Sequence, residues 1–317
     1  MKDLKMDFKN KTMETVFAIA ISTILMLIGI YYLPWVIFLY PVLFIILGIR
    51  YGVNYAILAL IISTLSIGLM VDMISGIFIF VAFTPLIISL IYTIKTRKNS
   101  FTILSISTFV FLLSNLLIIS MMKNMTGVSI INQLEEFFTQ SINYQIEILK
   151  DTGLSNYEVL KIKDFLENAF DYILLIMPSI IMIFSLITAY LNYLLSSLSL
   201  RKLEYGIVSI PKFSRFKLPN NILLGTGIMF LGAFILKKLE LLYYKTVFLN
   251  ITSIIAFIFF VQGLSVIDYK LIKRNIKIIP RILIVIVFTI IIPLGWLIPF
   301  IGVLDTIFDF RKIRRSI

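Results

Sequence analysis

The sequence predicts an all-α protein, a polytopic helical bundle of about eight membrane spans followed by a proline-broken C-terminal hairpin. Three observations predict it. Hydrophobic residues make up 60% of the 317 positions, more than one soluble core can enclose. They fall into runs long enough for helices that cross a ~30 Å hydrocarbon layer. The net charge of +12 gathers in short segments between those runs, where Lys and Arg hold loops on the cytoplasmic side beside anionic headgroups.

The chain contains no Cys and no His. That removes thiol and imidazole nucleophiles, a histidine general base, thiolate or imidazole metal sites and disulfides. No enzyme, cofactor or metal is expected. The basic charge is accounted for by membrane loops, so the expected partners are anionic lipid and a membrane protein, and not nucleic acid.

The elements follow in order. MKDLKMDFKNK precedes a first span, Thr15 to Tyr32, with no small-residue cleavage pattern, so it is read as uncleaved. Tyr31, Tyr32 and Trp35 mark the far interface. Pro34 and Pro41 bracket a shorter segment ending at Gly48. A third span runs from Tyr51 to Met70 and a fourth from Ile74 to Ile94, with a kink expected at Pro85. Lys95, Arg97 and Lys98 place the next loop inside, and a fifth span covers Phe101 to Met122. Residues 1–122 are thus read as an N-terminal five-helix membrane unit.

Residues 123–171 differ in kind. Glu135, Glu136, Glu147, Asp151, Glu158, Asp164, Glu167 and Asp171 outnumber Lys123, Lys150, Lys161 and Lys163, which puts this insert outside the cytoplasm. Ile131, Leu134, Phe138, Ile142 and Leu149 recur at helical spacing and give an apolar face. Gly153 ends that helix. Ser155 and Glu158 form a capping box, with Leu154 and Val159 as its staple, so a second helix starts near Asn156. It is read as running into the sixth span, Tyr172 to Leu200, with a kink at Pro178.

Residues 172–317 form a C-terminal membrane unit. Arg201, Lys202, Lys212, Arg215 and Lys217 against Glu204 make a basic cytoplasmic loop. Spans from Ile222 to Leu236 and Thr246 to Ile267 follow. Between them Lys237, Lys238 and Lys245 face outside, an exception to the positive-inside rule. Lys270, Lys273, Arg274, Lys277 and Arg281 restore the cytoplasmic signal. As one span, Ile282 to Leu304 would carry Arg311, Lys312, Arg314 and Arg315 outside. A helix broken at Pro293-Leu294-Gly295 and returning as a hairpin keeps both termini inside, and this reading is preferred. The expected location is the bacterial cytoplasmic membrane.

Candidate functional residues are few. Gly48 and Gly52 permit a close helix crossing, and Arg50 between them sits at an interface where it snorkels to headgroups or meets an anionic ligand. Asp72 lies at the outer end of two helices, where an acid faces a substrate mouth. Asn115 is deep in the fifth span and must hydrogen-bond another helix or a ligand. Asp305 and Asp309, spaced i, i+4, hold a cation or form a charge-compensated cap with Arg311. The aromatic and basic loop with Phe213, Phe216 and Lys217 suits anionic lipid or a protein partner.

Phe213-Ser-Arg-Phe-Lys-Leu218-Pro219 and Gly302-Val-Leu-Asp305-Thr-Ile-Phe-Asp309-Phe-Arg311-Lys312 resemble signatures of the YybS-like family of Firmicute membrane proteins, a likeness that extends over nearly the whole chain. The resemblance implies a multi-pass membrane protein and no particular activity. From Met13 to Lys98 the chain also resembles S-components of energy-coupling-factor vitamin transporters and MreD-like proteins. Only Ala18 and Ser22 supply the small-residue stripe by which S-components dock. The preferred function is small-molecule binding or transport near the outer ends of spans two to four; the alternative is a non-catalytic scaffold acting through cytoplasmic loops.

Overall fold

The computed structural model describes residues 2–127, 129–151, 154–206, 213–219, 221–240, 243–290 and 292–312. Among them the chain forms twelve α-helices and two short 3-10 turns. The helices are α1 (Lys2–Tyr31), α2 (Tyr40–Tyr51), α3 (Val53–Met70), α4 (Met73–Lys95), α5 (Ser100–Thr126), α6 (Ile130–Asp151), α7 (Asn156–Leu175), α8 (Met177–Lys202), α9 (Ile222–Lys238), α10 (Tyr244–Lys273), α11 (Ile278–Ile290) and α12 (Ile292–Phe308). Seven of the described helical segments are long and apolar enough to cross a membrane. α9 has 17 residues and rises about 25 Å, at the short limit for a span. The protein is an all-α, multi-pass integral membrane bundle.

Packing divides the chain into two compact units. One comprises Met1–Ile148 with Phe184–Ile210, the other Leu149–Ile183 with Pro211–Ile317. The cuts fall within α6 and α8, whereas composition alone segments the chain at 122 and 171.

In the first unit, Phe44, Tyr40, Phe83 and Phe111 form, in that order, a buried aromatic chain with successive centroids 5.2 to 5.7 Å apart. Small residues let the helices approach. A Cβ on Gly76 would stand 2.8 Å from the carbonyl oxygen of Thr64, too close for any side chain at that crossing. Gly48 faces Ile91 and Ala56, while Gly52 adopts φ +112° at the joint between α2 and α3, a conformation that L side chains rarely take. The two glycines therefore have different work, one in packing and one in the turn. Hydroxyls bridge helices here: Tyr40 donates to Ser63 at 3.1 Å, and Thr23 and Ser63 are 2.9 Å apart.

In the second unit, the capping box predicted at Ser155 is present: the Glu158 N–H donates to the Ser155 hydroxyl, and the Ser155 N–H donates back to Glu158. Gly153, read as the end of the preceding helix, lies outside the described residues. The continuous helix expected through Pro178 is interrupted at Ile176. Pro178 has no N–H and its ring crowds the Leu174 carbonyl, and a side chain of α10 takes up the groups the break frees. In an unbroken helix the Ser179 N–H would bond to the Leu175 carbonyl. Instead Ser179 N–H donates to Asn250 Oδ1 at 2.7 Å and Asn250 Nδ2 donates to the Leu175 carbonyl at 2.7 Å. One amide repairs both ends of the break.

The C-terminal run resolves as a hairpin. Arg281, in the first turn of α11, pairs with Asp268 at 2.8 Å, and Arg311, just past α12, donates to Ser265 at 2.7 Å. Ser265 and Asp268 are one turn apart on α10, so the segment leaves and returns at one level; a single crossing would separate its ends by ~30 Å. Residue 291, beside the expected break at Pro293 to Gly295, lies outside the described residues.

Candidate functional site

α10 and α12 cross at two glycines. A Cβ on Gly263 would collide with the Ile298 carbonyl, and one on Gly302 with the Phe259 carbonyl. Backbone contact of this kind brings the neighbouring positions, Gln262 on α10 and Asp305 on α12, into register. Gln262 Nε2 donates to Asp305 Oδ2 at 2.6 Å, and both residues have no exposed surface. One acid in so apolar a setting requires a cation. Arg311 supplies it: α12 ends at Phe308, Asp309 turns the chain at φ 47°, and the arginine folds back on its own helix end.

All five N–H bonds of the Arg311 guanidinium are used. Nε and Nη2 donate to the Asp305 carboxylate at 3.2 and 2.8 Å. Nη1 donates to the Ser214 carbonyl at 2.8 Å and the Ser265 hydroxyl at 2.7 Å, and Nη2 also to the Phe216 carbonyl at 2.8 Å. Its side chain is 1% exposed. Ser265 passes a hydrogen bond on to the Phe213 carbonyl at 2.7 Å. Gln262 Oε1 accepts the Leu218 N–H at 3.2 Å. The loop is therefore held through its backbone, four residues of it, by three side chains from α10 and the C-terminal segment.

A second ion pair, Lys217 with Asp309, lies beside the first. Asp305 and Asp309 thus do not share a cation. The helix ends between them, and each carboxylate has its own basic partner. The two segments singled out by the sequence, 213–219 and 302–312, meet in one buried polar cluster. Pro219 stays exposed and accepts a turn hydrogen bond from Ile222.

Gln262, Ser265 and Ser214 escaped the sequence reading. Gln262 and Ser265 carried a usable signal, since a polar pair beside Gly263 within an apolar run marks a buried interface. Ser214 contributes its carbonyl, which no side-chain pattern reports.

The other candidates have separate roles. Asp72 is exposed and caps α4, accepting the Ser75 N–H at 2.8 Å and the Ser75 hydroxyl at 2.5 Å. Those bonds hold its carboxyl below the usual carboxylate range. Arg50 pairs with Glu14 of α1 and stacks on Tyr51, 4.9 Å from the ring centroid. Asn115 donates to the Phe111 carbonyl of its own helix at 2.9 Å and to Ser185 of α8 at 3.3 Å. Each is committed to helix ends or helix contacts within the first unit.

Seven helical segments long and apolar enough to cross a membrane, with the buried charges paired among the described residues, define the class, an integral membrane protein of the multi-pass type. The chain belongs to the family described as Predicted membrane protein (DUF2232), matched over residues 20–306. It is similar to the Uncharacterized protein YybS of Bacillus subtilis (strain 168), 25% identical over 150 residues, 47% of this chain and 48% of that one. The chain thus spans about half the length of this relative in the matched region. No solved structure matches. The YybS-like resemblance is accordingly the family; these comparisons add nothing to the likeness to S-components or MreD-like proteins.

Proposed function

We propose that the protein is a non-enzymatic scaffold of the bacterial cytoplasmic membrane, with both termini inside, that presents the loop 213–219 as a fixed docking surface to a membrane-protein partner. The observation that carries this reading is the buried Arg311, whose five donors pin the loop to α10 and α12. Such pinning removes the ordering entropy a flexible loop would lose on binding. It leaves Arg215 and Pro219 exposed on a rigid frame. Every donor of Arg311 serves the fold, which favours a structural over a catalytic cluster. The charge pattern supports the orientation, since Lys270, Lys273, Arg274 and Lys277 lie at the same end of α10.

A photo-crosslinking amino acid at Arg215, in cells, tests the reading. The expected result is a discrete adduct with one membrane protein, lost when Arg311 is replaced by Met. Adducts no different from those of a probe at exposed Lys98 would overturn it.

Small-molecule binding is the second reading, and a different observation favours it. In the first unit Thr108 Oγ1, Asn192 Oδ1, Ser196 Oγ and Ser197 Oγ are buried without a protein hydrogen-bond partner. Buried polar atoms in lipid call for a partner, and a polar solute would supply one. The small-molecule hypothesis then rests on these atoms rather than on Asp72. Saturable uptake of a labelled vitamin panel into proteoliposomes is its test, with Asn192→Leu expected to abolish uptake.

A further inference from the structure

In the second unit, α9 and α10 enclose a groove of about 490 Å³. Its wall is apolar, with Gly227, Phe230, Phe234 and Phe248 lining it, and Phe230 and Phe248 touch at 5.8 Å between centroids. Its polar lining residues are Lys237 and Tyr244, at the end of α9 and the start of α10. Phe248 and Ser265 are separated by ~25 Å of helix, so the groove lies at the opposite end of the unit from the Arg311 cluster.

We propose that this groove is a binding site for one anionic phospholipid of the outer leaflet, its acyl chain against Phe230, Phe234 and Phe248 and its phosphate on Lys237. The solvent at this depth is lipid. Phe234 is 62% and Leu231 64% exposed at the groove's mouth, so an acyl chain enters from the bilayer without displacing protein, and water would find almost no polar partner along the wall. Gly227 leaves the room: a Cβ there would meet nothing within 4 Å. The charge argues for an anionic headgroup. Lys237 makes no ion pair among the described residues, and Lys238 and Lys245 flank it against the single acid Glu240. Tyr243 and Tyr244 stand at the same level, where aromatic residues mark the membrane interface. A bound anionic lipid also accounts for three lysines on the side where the positive-inside rule expects few.

The full-length protein, purified in mild detergent, is tested by native mass spectrometry after titration with phosphatidylglycerol or phosphatidylcholine of identical chains. Wild type is expected to retain one phosphatidylglycerol with about fivefold preference over phosphatidylcholine, the scale of one lysine near an anionic surface. Lys237→Gln should lose the preference while keeping the chain. Gly227→Leu, which fills open space and raises helix propensity, should lose retention of both lipids. Equal retention of the two lipids by wild type, or unchanged retention in Gly227→Leu, overturns the proposal; a melting curve for each variant separates loss of the site from loss of the fold.

Discussion

Replacing Arg311 by Met should release the loop 213–219. The side chain fills similar space but removes five hydrogen bonds, leaving Asp305 with Gln262, the Ser214 carbonyl without Arg311 and the Phe216 carbonyl with Ser265 as its donor. Removing one partner of a buried pair costs about 3–5 kcal/mol. At ~3 kcal/mol the open population of the loop rises about a hundredfold, at 1.36 kcal/mol per tenfold. The absence of native cysteine makes this measurable. Ser214 is 4% exposed, and its contact with Arg311 is through the backbone, so Ser214→Cys provides a thiol that reports opening. Maleimide labelling in detergent should accelerate about a hundredfold in the Arg311→Met background. Arg311→Lys, with three donors in place of five, should fall between. Combining Arg311→Met with Asp305→Asn should recover part of the loss, since the uncompensated buried charge is gone. If adding Arg311→Met to the Ser214→Cys protein leaves its labelling within threefold of the parent rate, the reasoning is refuted.

Three further outcomes are expected. Gly302→Val should separate α12 from α10, because its side chain meets the Phe259 carbonyl; a loss of about 1–3 kcal/mol in a denaturant titration checks this, with Gly225→Val as a tolerated control. Asp72 has a carboxyl held below its ordinary value by Ser75, so its contribution is present above the unfolded pKa of about 3.9 and is lost as pH falls through the lower folded value. Hydrogen-exchange protection at the start of α4 should therefore drop in acid in the wild type, and be low at every pH in Asp72→Ala. Asn115→Leu should weaken the contact between α5 and α8 by only about 0.6 kcal/mol, the average for such bonds in membranes, measured by the same titration.

Membrane class and helix order were legible because length and apolar runs dictate them, and the Ser155 capping box because its chemistry is local. A kink near Ile176 was legible from Pro178, but its partner was not, since Asn250 lies 71 residues away from Ser179. The pairing of 213–219 with 302–312 was hidden for a related reason. The sequence shows Asp305 and Arg311 as neighbours on a helix, but the helix end at Phe308 is what turns the arginine inward. For Asp72, an acid at a span boundary is compatible with a ligand site or an N-cap, and the Ser75 bonds show the cap, which the sequence alone did not. Sequence also divides the chain by polarity, at 122 and 171, while packing divides it within α6 and α8.

The central claim, that the C-terminal segment fixes the loop 213–219 in one conformation, is tested most directly by pulsed electron resonance between spin labels on Arg215→Cys and Phe308→Cys in lipid nanodiscs. The account predicts one narrow distance distribution that broadens when Arg311 is replaced by Met. A broad distribution with Arg311 in place would contradict it.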